Sequence, residues 1–138
     1  MEVIGIKTPL IKPGDDLVEV LLESSKGLVD LEDEDIIVIA SSVISTVNNR
    51  IIDISEVEPS KEAKRWAKKS GLDEKTTEII LQEADKVLGT GEKSVLTLKD
   101  GMLKINAGVD RSNVEKGKAL IMPKDGDREA KKIREKIE

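Results

Sequence analysis

The passage Asn106-Ala107-Gly108-Val109-Asp110-Arg111-Ser112-Asn113 is the most chemically suggestive in the chain, because an apolar strand-like run passes straight into small and polar residues. Two readings stand side by side. In one, Asp110 and Asn113 cap a turn through local hydrogen bonds, as Asp and Asn commonly do. In the other, Asp110 is a hard oxygen ligand for Mg²⁺ or Mn²⁺, Gly108 allows a close backbone approach, and the Asn113 amide donates to a nucleotide. One carboxylate is not a metal centre, so further oxygens have to come from elsewhere. Ser41-Ser42 closes the most apolar run of the chain and carries the same ambiguity between exposed hydroxyls and ligand contacts at a strand end. No P-loop is present, and Gly89-Thr90-Gly91 is too short for a dinucleotide fingerprint.

The elements that must position these groups alternate along the chain. Residues 2–6 and 36–40 read as strands, the second continuing through Val43, Ile44 and Val47 to a hairpin at Asn48-Asn49 and a return strand over 50–54. Leu17, Val18, Leu21 and Leu22 form the stripe of a helix that starts at Asp15 or Asp16 and stops at Gly27. A second helix covers 60–69, with Ala63, Trp66 and Ala67 inward and Lys61, Lys64, Arg65, Lys68 and Lys69 on a basic face. The third runs from the cap Asp73 to Gly89, with Ile79, Ile80, Ala84, Val87 and Leu88 at helical spacing. Asp100-Gly101 joins strands 94–99 and 102–106 in a hairpin, and 118–122 is a further strand. A last helix, 127–138, has only Ala130, Ile133 and Ile137 on its stripe, so it needs another surface to lie against and suggests association.

Composition narrows the function classes. At 138 residues the chain is one domain by length, and folding can bury roughly 68% of the unfolded surface, enough for a core without a staple. With no His, Cys, Tyr or Phe, histidine bases, thiolate nucleophiles, disulfides and zinc ribbons are excluded, and Trp66 is the sole platform for stacking a base. The net charge of −5 lacks the basic excess of a phosphate-backbone binder, so no nucleic-acid partner is expected. No apolar run approaches the ~20 residues that cross a bilayer, and the N-terminus has no signal-peptide pattern, so no membrane association and a cytoplasmic location are expected. The 37% of charged residues, with a single Gln and no Cys, lean towards a thermophile.

Taken in order, these passages resemble the N-terminal part of the coenzyme F(420)-0:L-glutamate ligase family, which adds γ-linked glutamates to a deazaflavin coenzyme of methanogens and actinobacteria. The resemblance is carried by Pro9-Leu10-Ile11 with Gly14-Asp15-Asp16-Leu17, by Ser41-Ser42-Val43-Ile44-Ser45 with Arg50-Ile51, by Ile80-Leu81-Gln82-Glu83, and by Asn106-Ala107-Gly108-Val109-Asp110 with Ser112-Asn113. It implies an α+β fold of interleaved antiparallel strands and a homodimer. It also implies GTP-dependent chemistry in which the coenzyme carboxylate takes the γ-phosphoryl group and the glutamate amine attacks the acyl phosphate. Asp110 then looks like a ligand for Mg²⁺ or Mn²⁺, Asn113 like a nucleotide contact, and Leu10, Ile11, Ser41 and Ser42 like further parts of the GTP pocket.

Two departures temper this. Thr46 stands where the family usually has a lysine that contacts the nucleotide. The family chain also continues for roughly another hundred residues, with an Asp-Thr pair and a glycine-rich segment that this sequence does not reach. Since removing a C-terminal half would not alter position 46, the expectation is a stand-alone paralogue or half of a split enzyme, inactive alone, with a homo-oligomer or a ligase partner chain as its company.

Overall fold

The structure is a computed structural model that describes residues 2–138. They divide into two compact units, one formed by the chain up to Arg50 together with Pro123–Glu138, the other by Ile51–Met122. The fold is α+β, with five α-helices and antiparallel strands in two small sheets among the described residues.

In the first unit, Asp16 caps helix α1 (Leu17–Ser25) by accepting from the Glu19 amide, and Leu17 and Val18 are buried. Helix α2 spans Ser41–Val47. A hairpin was the expectation from the β-branched residues here, and it does not form. The spacing explains why: Ala40, Val43, Ile44 and Val47 recur at i, i+3, i+4 and i+7, one helical face, and that period outweighs β-propensity. Asn49 does adopt the left-handed conformation (φ 50°), but it ends a helix rather than turning a hairpin. Residues 2–6 and 36–40 also form no strand. Ile36 and Val38 are 87% and 89% exposed, and neither segment finds a ladder partner among the described residues, without which an extended run has nowhere to place its backbone bonds. Helix α5 (Gly126–Ile137) lies against α1. Lys136 pairs with Asp16, and the Asn48 amide donates to Glu129 at 3.1 Å.

In the second unit, β1 (Ile51–Asp53) pairs antiparallel with β5 (Lys118–Leu120), Ile52 opposite Ala119. The sheet β2 (Lys86–Gly91), β3 (Ser94–Lys99), β4 (Met102–Ile105) is antiparallel, and β3 and β4 form the expected hairpin with Leu98 opposite Leu103. Helix α3 (Lys61–Ser70) begins at the Ser60 cap and ends on Gly71 at φ 76°, a left-handed C-cap that favours glycine. Helix α4 (Glu74–Glu83) is shorter than the spacing suggested, because Ala84 turns extended and Val87 instead pairs with Thr97 in the sheet.

Two small cores result. Ile54, Ile79, Ala119 and Ile121 form one, and Ile80, Val95 and Ala107 the other, with Val109 packed against both. The second is closed by polar bonds: Asn106 Oδ1 accepts from the Val95 amide at 2.8 Å, and the Ala107 amide donates to Thr97 Oγ1 at 3.0 Å. Asn106→Ala should therefore leave the amide of fully buried Val95 without its partner and lower stability by about 1–3 kcal/mol. A urea unfolding midpoint unchanged from the parent protein would contradict this.

Candidate functional site

The Asp110 loop is set by its backbone. Asn106, Ala107 and Gly108 form a 3₁₀ turn with successive φ values of 53°, 51° and 74°, all left-handed. Only the third residue is a glycine. A Cβ there would come within 2.2 Å of the Met122 sulfur, so the absence of a side chain is what admits this close approach. The chain then re-enters an antiparallel bridge in which the Asp110 amide donates to the Leu120 carbonyl (2.9 Å) and the Leu120 amide donates to the Asp110 carbonyl (2.7 Å). Asp110 is thus held to the end of β5.

Its carboxylate gathers the next three residues. Oδ1 accepts from the Ser112 amide (2.7 Å) and hydroxyl (2.6 Å), and Oδ2 accepts from the Asn113 side-chain amide (2.6 Å). Partial burial pushes the Asp110 carboxyl up, but donation from Asn113 and Ser112 outweighs it and holds the group below the usual carboxylate range. A carboxylate offers about four lone-pair directions. Three are filled here and the Asn113 backbone amide also favours the charged form, so the carboxylate is engaged chiefly within its own loop and has no bidentate grip to offer a hard divalent cation. The second Asn113 proton is directed at Ser112 Oγ, 3.2 Å away, so both of its donors are engaged within the loop and its carbonyl oxygen is the end left over. The geometry is that of the first reading, in which Asp110 and Asn113 cap a turn through local bonds.

Arg111, within the same passage, bonds outside the loop. It donates to the Asp73 carboxylate at 2.5 Å and to Thr76 Oγ1 at 3.0 Å, tying the loop to the first turn of α4. Its role was not legible in the sequence, where Asp73 is sufficiently explained as a helix cap. Among the described residues no three acidic, histidine or cysteine side chains come close enough to hold a metal. Asp110 fits a divalent ion as one ligand only, with the remaining oxygens supplied from outside this loop.

The other predicted site residues lie in the first unit. Leu10 is exposed and Ile11 half-buried, just before a turn in which the Lys12 amide donates to Asp15 at 2.7 Å. Ser41 and Ser42 open α2, and the Ser42 carbonyl accepts from Thr46 Oγ1 at 2.8 Å. Position 46 is therefore one turn on from Ser42, on the same side of the helix. A groove of about 360 Å³ in this unit has Leu17, Ile44 and Ile133 among its lining residues and Asp16, Glu129 and Lys136 beside them; none of Leu10, Ile11, Ser41 or Ser42 lines it.

With this geometry in hand, comparison with known proteins is decisive at the family level. The model of the family described as F420-0:Gamma-glutamyl ligase matches residues 5–138. The chain belongs to this family. Coenzyme F420:L-glutamate ligase of Methanocaldococcus jannaschii is 41% identical over 139 residues, covering 100% of this chain and 54% of that protein. The enzymes of the same name from Methanopyrus kandleri and Archaeoglobus fulgidus are 38% and 40% identical, over 92% and 94% of this chain and 49% and 50% of theirs. The chain thus spans about half the length of the curated relatives it matches. No helix among the described residues is long and apolar enough to cross a membrane.

The Asp73 clamp makes a pH-dependent prediction. Burial pushes its carboxyl up, but the Thr76 amide and hydroxyl and the Arg111 guanidinium prevail and hold it below the ordinary value. A depressed folded pKa adds stability above the unfolded value of about 3.9, and that stability is lost as pH falls through the folded pKa. Asp73→Ala, which also removes the α4 cap, should cost about 1 kcal/mol at pH 7. The difference from the parent protein should shrink steadily below pH 4 in urea titrations; a pH-independent difference would contradict the clamp.

Proposed function

We propose that this chain is a partial, GTP-dependent F420:L-glutamate ligase domain that retains one share of a GTP and divalent-metal site and does not add L-glutamate to the coenzyme by itself. The observation that carries this reading is the Asp110 carboxylate, pinned through its backbone to Leu120 and held charged by the donors of its own loop. Migrating and leaving phosphoryl groups concentrate negative charge, and a divalent ion neutralises it only when several oxygens fix the ion in place. Asp110 offers one such oxygen, for Mg²⁺ or Mn²⁺. On this reading Leu10, Ile11, Ser41, Ser42 and Asn113 contribute to the nucleotide site, and the protein works in the cytoplasm.

The relatives' unmatched half provides the natural source of the missing ligands, which makes one subunit of a split ligase the neighbouring form of the same proposal. A second reading, a non-catalytic assembly or regulatory module, is favoured by the outer face of the β3–β4 hairpin. Leu96 faces Ile105 and Leu98 faces Leu103 there, with Leu103 and Ile105 66% and 58% exposed. An uncovered aliphatic sheet face of this kind is a surface for a second copy or a partner chain.

Calorimetric titration with GTP and Mg²⁺ tests the first reading. Binding should be weak and Mg²⁺-dependent, and Asp110→Asn should remove most of that dependence. Thr46→Lys should tighten binding roughly tenfold to a hundredfold, the worth of one charge-assisted contact of about 1.5–3 kcal/mol. If Thr46→Lys leaves GTP undetectable at millimolar concentration, the pocket is not preserved and the module reading replaces it. Analytical sedimentation separates the rest: self-association at micromolar concentration, weakened by Leu103→Lys, supports the uncovered sheet face as an interface, and a stable monomer counts against it.

A further inference from the structure

Lysine is almost never fully buried unless something holds its charge. Lys99, the last residue of β3, is 6% exposed, and its ammonium donates to the Glu83 carboxylate at the end of α4. A buried ion pair is a poor source of stability, because the cost of desolvating two charges rivals their attraction. What it supplies is position. The pair is made only when both groups stand in register, whereas apolar contact carries no direction.

The buried face of β3 presents Val95, Thr97 and Lys99, alternating with the half-buried Ser94, Leu96 and Leu98. Each of the three makes a bond outside the strand ladder. The Val95 amide donates to Asn106 Oδ1 and Thr97 Oγ1 accepts from the Ala107 amide, the two bonds that hold the left-handed turn before Asp110. Lys99 reaches α4 instead. The other end of that ten-residue, roughly 15 Å helix is tied to the Asp110 loop, since Arg111 donates to the Asp73 cap and to Thr76 Oγ1. The tethers close a circuit. It runs from Lys99 along β3 to Thr97 and Ala107, through the turn to Asp110 and Arg111, and back along α4 from Asp73 to Glu83.

Inside the circuit lie only the small apolar contacts of Ile80, Val95 and Ala107. Ladders fix β3 between β2 and β4, and its placement along α4 is left to side chains and to the link Ala84-Asp85. That link leads into β2, whose register with β3 shifts at a bulge between Val87 and Gly89, so it does not set the placement by itself. Asp85 accepts from the Asp100 amide at 2.7 Å on the exposed side, where water competes for the bond.

We infer that the Lys99–Glu83 pair is a positioning device for the Asp110 loop, setting where β3 lies along α4 and hence where the turn at Asn106–Gly108 delivers the carboxylate. The role concerns the loop itself, whatever the loop binds. Arg111 ties the loop to α4, while Asn106 and Ala107 tie it to β3. A slide of β3 along α4 sets these tethers against each other, and the loop between them loses its single arrangement.

Nuclear magnetic resonance of the whole chain, without nucleotide or metal, tests this. Partial burial raises the Asp110 carboxyl, and the donors on Asn113 and Ser112 prevail to hold it below the usual range, so its titration reports their arrangement. Glu83→Leu/Lys99→Met removes both charges together and should unfold at a urea concentration close to the parent's. Its Ser112 backbone and Asn113 side-chain amide resonances should nevertheless split or broaden, and its Asp110 titration should rise towards the ordinary value of about 3.9. Glu83→Gln, which weakens the bond without abolishing it, should move the same signals in the same direction and less far. Ile54→Val, in the other core, should lower the urea midpoint and leave those signals in place. Parental Ser112, Asn113 and Asp110 signals in either pair variant overturn the inference. So does a double variant that unfolds at a markedly lower urea concentration, which makes the pair a source of stability, and so does an equal change in Ile54→Val, which makes the signals a measure of stability alone. Because no ligand is present, the outcome is independent of the GTP titration, and either reading can fail while the other stands.

Discussion

The left-handed run at Asn106–Gly108 is the constraint on which the second unit depends. It turns the chain out of β4 so sharply that Ala107 is fully buried and Asn106 reaches back to the Val95 amide, closing the smaller core. L-residues resist this conformation by about 1–2 kcal/mol each, so the turn persists only because those bonds and Gly108's approach to Met122 repay it. The same turn delivers Asp110 to the Leu120 bridge, fixing the carboxylate at the end of β5. Fold and candidate chemistry are one device here: loosening the turn would release the core and the carboxylate together.

How much of this was legible in the sequence depended on whether local signals had a local outcome. Asp16, Ser60 and Asp73 cap helices where their types suggested, and Asp100-Gly101 turns its hairpin, because caps and tight turns are decided within a few residues. The 36–47 stretch misled for the opposite reason. Its β-branched content argued for a strand, while the spacing of Ala40, Val43, Ile44 and Val47 fits a helix, and a helix formed with Ile44 and Ser45 buried. Residues 36–40 kept strand-like composition but found no ladder. Val87 and Leu88 continued a helical period past Glu83, yet both lie in β2, Val87 paired with Thr97 and Leu88 at a bulge before Gly89. Long-range pairing of that kind leaves no trace in a short window.

The candidate site divided along the same line. The cluster of Asp110, Ser112 and Asn113 could be read from residue type and spacing, since its bonds are local. Arg111's grip on Asp73, across 38 residues, could not. The clamp matters because it ties the loop to the first turn of α4, so that the Asp110 carboxylate is already ordered before any partner reaches it.

The central claim is that Asp110 is a preorganised ligand for a nucleotide-bound divalent ion. Paramagnetic relaxation by Mn²⁺ in the presence of GTP tests it most directly, because broadening falls steeply with distance from the ion. The account predicts selective loss of the Asp110, Ser112 and Asn113 backbone resonances at low Mn²⁺, abolished by Asp110→Asn. Broadening centred instead on the acidic stretch Asp30–Asp35, or spread evenly over surface carboxylates and unchanged in Asp110→Asn, would contradict it.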